Sequence, residues 1–259
     1  MLNDNSPESP IRVVKEPESM DFDYGKLGSL MEEHNSHSES NTSIDLRLSK
    51  LLLSHPWLRS AVRGIGKGIV VEIGPYKGVT LEQLAEQYAT ELSRALIVGI
   101  DMGMYDGHPA SYQFENVEPQ ALFSAEEGLG KRVFCYENIE NLPYREESPV
   151  YRHERYPNTF SIYAVLPEEA LLSNSRLGLV LLKSMLAHLG NPPRESLEYV
   201  RKNILPRAEK LFIVDYVGTN KFRKIPIPTP EEVVETIDKA FPNISVHKRE
   251  NHFVLYASR

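Results

Sequence analysis

The stretch Gly68-Ile-Val-Val-Glu-Ile-Gly-Pro-Tyr-Lys-Gly-Val-Thr80 decides the fold class of this chain. Its apolar run reaches the acidic residue Glu72, two glycines follow at Gly74 and Gly78, and Thr80 opens a segment with helical periodicity. This is the pattern of a strand, a tight turn and a helix, and glycines at such a turn let a ligand approach the main chain. The stretch therefore predicts a site for a charged or nucleoside-containing ligand.

A second apolar run, Ala95-Leu-Ile-Val-Gly-Ile-Asp101, also ends in an acid. Recognition of a ribose in a Rossmann-like sheet requires an acid at the end of the second strand. Glu72 and Asp101 are therefore candidate ligand-binding residues. The alternative is that both acids cap helices or face water.

Strand and helix patterns alternate along the chain from Gly68. The predicted strands are Ile69–Ile73, Leu96–Ile100, Arg132–Tyr136, Leu177–Leu182, Lys210–Val214, Ile244–Lys248 and His252–Tyr256. Helical patterns lie between most of them. This order predicts an α/β fold, with a doubly wound, mostly parallel seven-stranded sheet and an antiparallel last strand.

The N-terminal residues 1–42 are polar and rich in Ser, Glu and Asn, so we expect a flexible tail. The alternative is a short amphipathic segment that docks through Tyr24, Leu27, Leu30 and Met31. Residues 43–259 are predicted to form one domain. A lid-like insertion is expected around 144–176, where several aromatic side chains suggest a pocket.

Composition excludes several classes of protein. The chain has 259 residues, a formal net charge of -7 and one cysteine, Cys135, so a nucleic-acid partner, an internal disulfide and a cysteine metal cluster are not expected. There is no apolar run long enough to span a membrane and no signal-peptide pattern. We interpret the protein as cytoplasmic, with no membrane partner, and the sequence leaves its oligomeric state open.

Three stretches together resemble the class I S-adenosylmethionine-dependent methyltransferases, from about Ser43 onward. Glu72-Ile-Gly-Pro-Tyr-Lys-Gly78 is similar to the ExGxxxG form of their first motif, with Tyr76 where a glycine is commoner. Glu137-Asn-Ile-Glu-Asn-Leu-Pro-Tyr144 resembles the segment after their third strand. Val180-Leu-Leu-Lys-Ser-Met-Leu-Ala-His-Leu189 resembles their fourth strand and the turn that follows it.

The resemblance implies a Rossmann-like fold, the cofactor S-adenosyl-L-methionine and a small-molecule methyl acceptor. It implies that Glu72 binds the amino group of the cofactor and that Asp101 accepts hydrogen bonds from the ribose. The other cofactor contacts that it implies are Gly74, Tyr76, Gly78, Met102, Asn138, Ile139 and Lys183. It also places His188 just past the fourth strand, where the imidazole is a candidate base; the alternative is that His188 packs or caps the next helix.

Departures from the family pattern leave other functions open. Gly178 replaces an acid at the start of the fourth strand, and Arg207-Ala208 replaces a glycine pair. These departures motivate the alternative of a methyltransferase-like binding or scaffold protein without activity. Relatives that hold magnesium use acids where this chain has Lys183 and Asp215, so no metal is predicted, because a lysine repels a dication. A methyltransferase acting on RNA or protein is a third hypothesis.

Overall fold

A largely parallel β-sheet forms the centre of the molecule. The computed structural model describes residues 21–36, 42–66, 68–75, 77–101, 114–118, 150–163, 177–189, 194–220 and 224–259. The strands are β1 (Ile69–Ile73), β2 (Leu96–Asp101), β3 (Phe114–Val117), β4 (Val150–His153), β5 (Thr159–Tyr163), β6 (Leu179–Lys183), β7 (Lys210–Tyr216), β8 (Thr219–Asn220), β9 (Ile225–Pro226), β10 (Asn243–Lys248) and β11 (His252–Ser258). The sheet order is β10-β11-β7-β6-β1-β2-β5-β4-β3, and β8 pairs with β9 separately.

The pairing confirms a mixed α/β fold and corrects two details of the prediction. Within the described residues the main sheet has nine strands and not seven. Its five central strands are parallel. The last strand, β11, runs antiparallel to β7. Antiparallel pairing is not confined to that side of the sheet, because β4 also runs antiparallel to both of its neighbours, β3 and β5. All five residues of β1 are buried, as expected for a strand covered on both faces.

The strand beside β2 on the side away from β1 was not among the predicted strands. Thr159–Tyr163 pairs in parallel with β2, with Asp101 opposite Tyr163. The predicted strand Arg132–Tyr136 lies outside the described residues. The segment Glu137–Tyr144, which resembles the stretch after the third strand of that family, also lies outside the described residues.

Strands also replace most of the described part of the predicted lid. Residues 150–163 form β4, a turn and β5, all inside or beside the main sheet. Tyr151 and Phe160, which the sequence suggested for an acceptor pocket, are buried in the core. The reason is that aromatic side chains are as favourable in a buried pleated strand as in a lid. The remainder of 144–176 lies outside the described residues.

Helices pack against this sheet and against each other. They are α1 (Tyr24–Ser36), α2 (Thr42–Leu53), α3 (Pro56–Arg63), α4 (Val79–Gln87), α5 (Arg194–Tyr199) and α6 (Pro230–Ile237), and a π-helical turn, Val200–Ile204, continues α5. Helix α2 packs against both α1 and α4. No helix in the described part of the chain is long and apolar enough to cross a membrane.

Helix α1 replaces part of the expected flexible tail. Leu27, Leu30 and Met31 are buried in the main core, because their spacing places them on one face of a helix. The alternative of a docking segment is therefore the correct one for residues 24–36. Residues 1–20 lie outside the described part of the chain.

Three buried histidines surround the start of α1. Tyr24 is hydrogen-bonded to His55 Nε2 at 3.1 Å and stacks on the ring of His247. The backbone of Gly28 lies against His252, and the Gly28 carbonyl accepts a hydrogen bond from Asn251 Nδ2 at 3.2 Å. Burial lowers the pKa of His55 to about 3 and that of His252 to about 4, with repulsion from His247 adding to both shifts.

Candidate functional site

The strand order reverses at β1, and this reversal locates the candidate site. Strand β1 lies between β2 and β6. The chain first builds the sheet outward on the β2 side of β1, and then returns to add β6 and β7 on the other side of β1. Connections leave the carboxyl ends of β1 and β6 in opposite directions, and ligands of open parallel sheets bind in the crevice so formed. The crevice lies where the ExGxxxG stretch ends β1.

The turn after β1 has the left-handed backbone conformation that its glycines permit. Gly74 has a φ of 71° and Gly78 a φ of 74°, in the left-handed region that other residues avoid. A Cβ on Gly74 would lie 2.2 Å from the sulfur of Met185, and a Cβ on Gly78 would lie 2.8 Å from the ring of Phe114. Turn conformation and internal packing therefore account for both glycines, whether or not a ligand approaches.

Glu72 is the fourth residue of β1 and is fully buried. It lies opposite Gly99 of β2 on one side and Leu181 of β6 on the other. Burying a carboxyl group inside a sheet is unfavourable, because the group loses its hydration, unless other interactions compensate for that loss. The structure thus places this acid one residue before the end of β1, beside the crevice.

Lys183, the last residue of β6, is held by helices α2 and α4. Its Nζ donates to Thr80 Oγ1 at 2.9 Å and to Ser49 Oγ at 3.3 Å, and lies 3.8 Å from Asp45 Oδ1. The Ser49 and Thr80 hydroxyls are themselves 2.9 Å apart. Asp45 thus balances the charge of the ammonium at the end of β6, and the role of Lys183 as a cofactor contact stays a prediction.

A second chain of polar contacts continues from Asp45. His34 Nε2 lies 3.2 Å from Asp45 Oδ1, and His34 Nδ1 lies 2.5 Å from the Tyr216 hydroxyl. Asp45 and Tyr216 are buried, whereas the His34 side chain is 22% exposed. Three separate elements, α1, α2 and β7, therefore bring these side chains to the carboxyl edge of the sheet.

Asp215 fixes the turn that carries His188. The Asp215 side chain is fully buried and accepts hydrogen bonds from the backbone N–H of Leu186 and of Tyr216, each at 2.8 Å. Burial raises the pKa of Asp215 to about 7, although these backbone hydrogen bonds oppose the shift. His188 is half-buried in this turn, and its own N–H donates to the Met185 carbonyl. Its role as a base stays a prediction.

Several predicted cofactor contacts cannot be placed. Tyr76, Met102, Asn138 and Ile139 lie outside the described residues, and of Asp101 only the backbone, at the end of β2, is described. Their roles, like that of Asp101, stay untested predictions.

His34, Asp45, Ser49 and Tyr216 were not singled out by the sequence. The available signal was on α2, whose buried face combines Ile44, Leu48 and Leu52 with the polar residues at 45 and 49. Polar side chains one turn apart on an otherwise apolar face indicate a buried polar contact. Among the described residues, no three His, Cys, Asp or Glu side chains converge in a way that could hold a metal ion.

Comparisons with known proteins give distant likenesses only. No protein-family model matches the chain, and no curated protein is significantly similar to it. Among solved structures it is similar to the pyocyanin biosynthetic protein PhzM, with 11% identity and a TM-score of 0.47 over 88% of this chain and 61% of that one. It thus spans 61% of the length of PhzM.

Two further structures are similar to a comparable degree. One is an S-adenosylmethionine-dependent methyltransferase from Aquifex aeolicus, with 16% identity and a TM-score of 0.41 over 91% of this chain and 98% of that one. The other is a putative O-methyltransferase from Nostoc punctiforme, with 13% identity and a TM-score of 0.43 over 91% and 67% of the two chains. Likenesses at these identities and TM-scores do not establish a function.

Proposed function

We propose that this chain is an S-adenosylmethionine-dependent methyltransferase that acts on an oxygen or nitrogen of a small molecule. The observation that carries the proposal is the position of the Glu72–Gly78 stretch, which ends β1 at the reversal of the strand order. A dinucleotide site would need a GxGxxG turn there, and the chain has ExGxxxG. The antiparallel last strand beside β7 adds support, because the resembled family shares that feature.

The residues at this edge fit such a cofactor in part. Glu72 and the turn at Gly74 would hold the amino-acid portion, and Asp101, at the end of β2, would hold the ribose. The cofactor supplies an electrophilic methyl group, so this chain needs only to align it, exclude water and, for some acceptors, remove a proton. Lys183 fits less well beside a positive sulfonium, and its pairing with Asp45 supports a role in anchoring α2.

Titration calorimetry with S-adenosylmethionine and with S-adenosylhomocysteine tests the proposal. We expect binding of both compounds, strongly weakened by Glu72→Gln and by Asp101→Ala. Glu115→Ala is the matched control, because Glu115 is an exposed acid on β3 of the same sheet, paired with Arg152. Absence of binding to either compound would refute the proposal, and equal weakening by the control would refute the assignment of the two acids.

Transfer and binding are measured separately to resolve the alternatives. A binding or scaffold protein of this fold would retain the cofactor and transfer no methyl group from it to any acceptor in a metabolite pool. A methyltransferase that acts on RNA would slow the migration of total RNA in a gel-shift experiment. We do not expect such a shift, because the net charge of the chain is -7. Labelling of small molecules, and not of RNA or protein, is the outcome that we expect.

A further inference from the structure

The polar chain Asp45–His34–Tyr216 has a defined hydrogen-bond direction. A carboxylate only accepts hydrogen bonds, so the His34 Nε2 atom that faces Asp45 at 3.2 Å carries the proton of a neutral ring. His34 Nδ1 is then the acceptor, and the Tyr216 hydroxyl, 2.5 Å away, donates to it. A carboxylate that orients an imidazole towards a hydroxyl is the arrangement that activates hydroxyl groups in enzymes.

This chain crosses the mouth of the candidate crevice. Tyr216 is the last residue of β7, which adjoins β6, and Asp45 lies 3.8 Å from the ammonium of Lys183 at the end of β6. Lys183 in turn contacts Thr80 in the first turn of α4, which follows β1. The line of polar groups therefore runs from β7 to the start of α4, along the edge where the proposed cofactor would bind.

Ser184 adds a second observation at the same edge. It follows β6, and its φ of 55° is in the left-handed region, which is costly for a residue with a Cβ. Its hydroxyl is buried and makes no well-formed hydrogen bond within the described residues, although it lies close enough to Tyr216 to lower the pKa of that phenol. Burial outweighs this contact and raises the pKa of Tyr216, so the phenol keeps its proton. The strained backbone of Ser184 thus places its hydroxyl beside Tyr216, at the edge where the proposed acceptor would bind.

We propose that Tyr216, His34 and Asp45 form a proton relay for the proposed methyl transfer, and that the acceptor atom is therefore a hydroxyl oxygen. The inference rests on the proposed function. The acceptor O–H proton passes to the Tyr216 oxygen while the Tyr216 proton passes to His34 Nδ1. The acceptor oxygen then forms a bond to the methyl carbon as the carbon–sulfur bond breaks, and the electron pair stays on sulfur. Tyr216 is the catalytic residue, and His34 and Asp45 position and stabilise the proton.

Only a hydroxyl acceptor needs this device. An amine can attack through its lone pair and lose its proton afterwards, whereas a phenol or alcohol is a weak nucleophile until its proton is removed. The positive imidazole formed by the transfer faces the Asp45 carboxylate on α2, and Lys183 on β6 shares that carboxylate.

The test uses a panel of phenols of rising acidity that ends with 4-nitrophenol, a matched panel of anilines, and labelled S-adenosylmethionine. We expect transfer to phenols, and a loss of roughly 100-fold or more in kcat with unactivated phenol in Tyr216→Phe and in His34→Gln. With 4-nitrophenol, already ionised at mildly alkaline pH, we expect a much smaller loss. A purely structural role would affect all phenols alike. Tyr256→Phe, on β11 and opposite Phe212, is the control.

Two measurements keep the outcomes separate. Calorimetry with the cofactor tests the proposed function, whereas nitrogen NMR of His34 tests the relay without any ligand. Transfer to anilines only, equal losses across the phenols, or no transfer by a protein that binds the cofactor would overturn the relay. A proton found on Nδ1 of the neutral His34 ring would overturn it as well, whatever the calorimetry shows.

Discussion

Acid should destabilise this protein through His55, and the size of the effect can be worked out from the structure. His55 Nδ1 accepts the backbone N–H of Trp57 at 3.2 Å as the N-cap of α3, so the proton of the neutral ring is on Nε2, which faces Tyr24. Protonation would place a second N–H against the N–H of Trp57 and would charge a fully buried ring. The folded state therefore resists this proton.

The sign and magnitude follow from linkage. Burial lowers the folded pKa of His55 from 6.5 to about 3, so below neutrality the unfolded chain binds a proton that the folded chain does not. The free energy of unfolding therefore falls as the pH falls below the pKa of free histidine. At about pH 5 the loss is about 2 kcal/mol for this one residue, a figure that depends little on the folded value.

The assay is urea unfolding at about pH 7.5 and at about pH 5, with the difference in unfolding free energy as the readout. In His55→Asn the capping acceptor is retained and the titrating ring is lost, so this difference should shrink by about 2 kcal/mol. Tyr24→Phe is the control, because it removes the Tyr24–His55 hydrogen bond and keeps the ring. An unchanged difference in His55→Asn would refute the reasoning.

Three further changes test other parts of the fold. Gly74→Ala should lower the free energy of unfolding by at least about 2 kcal/mol, because it adds left-handed strain and a clash with Met185. Adding Met185→Ala should restore the part of this loss that is due to the clash. An unchanged free energy of unfolding in Gly74→Ala would contradict the reasoning. Met31→Ala should cost about 2–5 kcal/mol in thermal or urea unfolding, as expected for a fully buried side chain; a loss below 1 kcal/mol would show that α1 is loosely held. Thr229→Ala, which removes the capping box of α6, should cost about 1 kcal/mol, whereas Thr236→Ala inside that helix should cost less; equal losses would contradict the capping role.

The sequence predicted those elements whose hydrophobic pattern is unambiguous. β1 coincides with its prediction, because five consecutive residues are buried on both faces of the sheet. β5 was mistaken for part of a lid, because Thr159 and Ser161 are polar and yet fully buried. A small polar side chain at a core position looks like a surface position in a hydrophobicity pattern.

The candidate site was predictable only where it is local in sequence. Glu72 and the glycines after it are close neighbours along the chain, so their spacing carries the motif. His34 and Tyr216 are 182 positions apart, and no pattern in a single sequence links them. Asp45 gave a weak signal as a carboxylate on an apolar helix face, but its partners come from α1 and β6. Tertiary structure alone brings these groups together.

The docking of α1 on the β10–β11 hairpin has a consequence for synthesis. Asn251 binds the carbonyl of Gly28 across a separation of 223 positions, and Tyr24 stacks on His247. During translation α1 leaves the ribosome long before its partner strands exist, so the contacts of Tyr24 and Gly28 stay unmade until the hairpin is synthesised. Contacts between residues so far apart in sequence slow folding and leave an aggregation-prone apolar surface on the nascent chain. This chain should therefore depend on a chaperone, or on slow translation, more than a protein with local packing does.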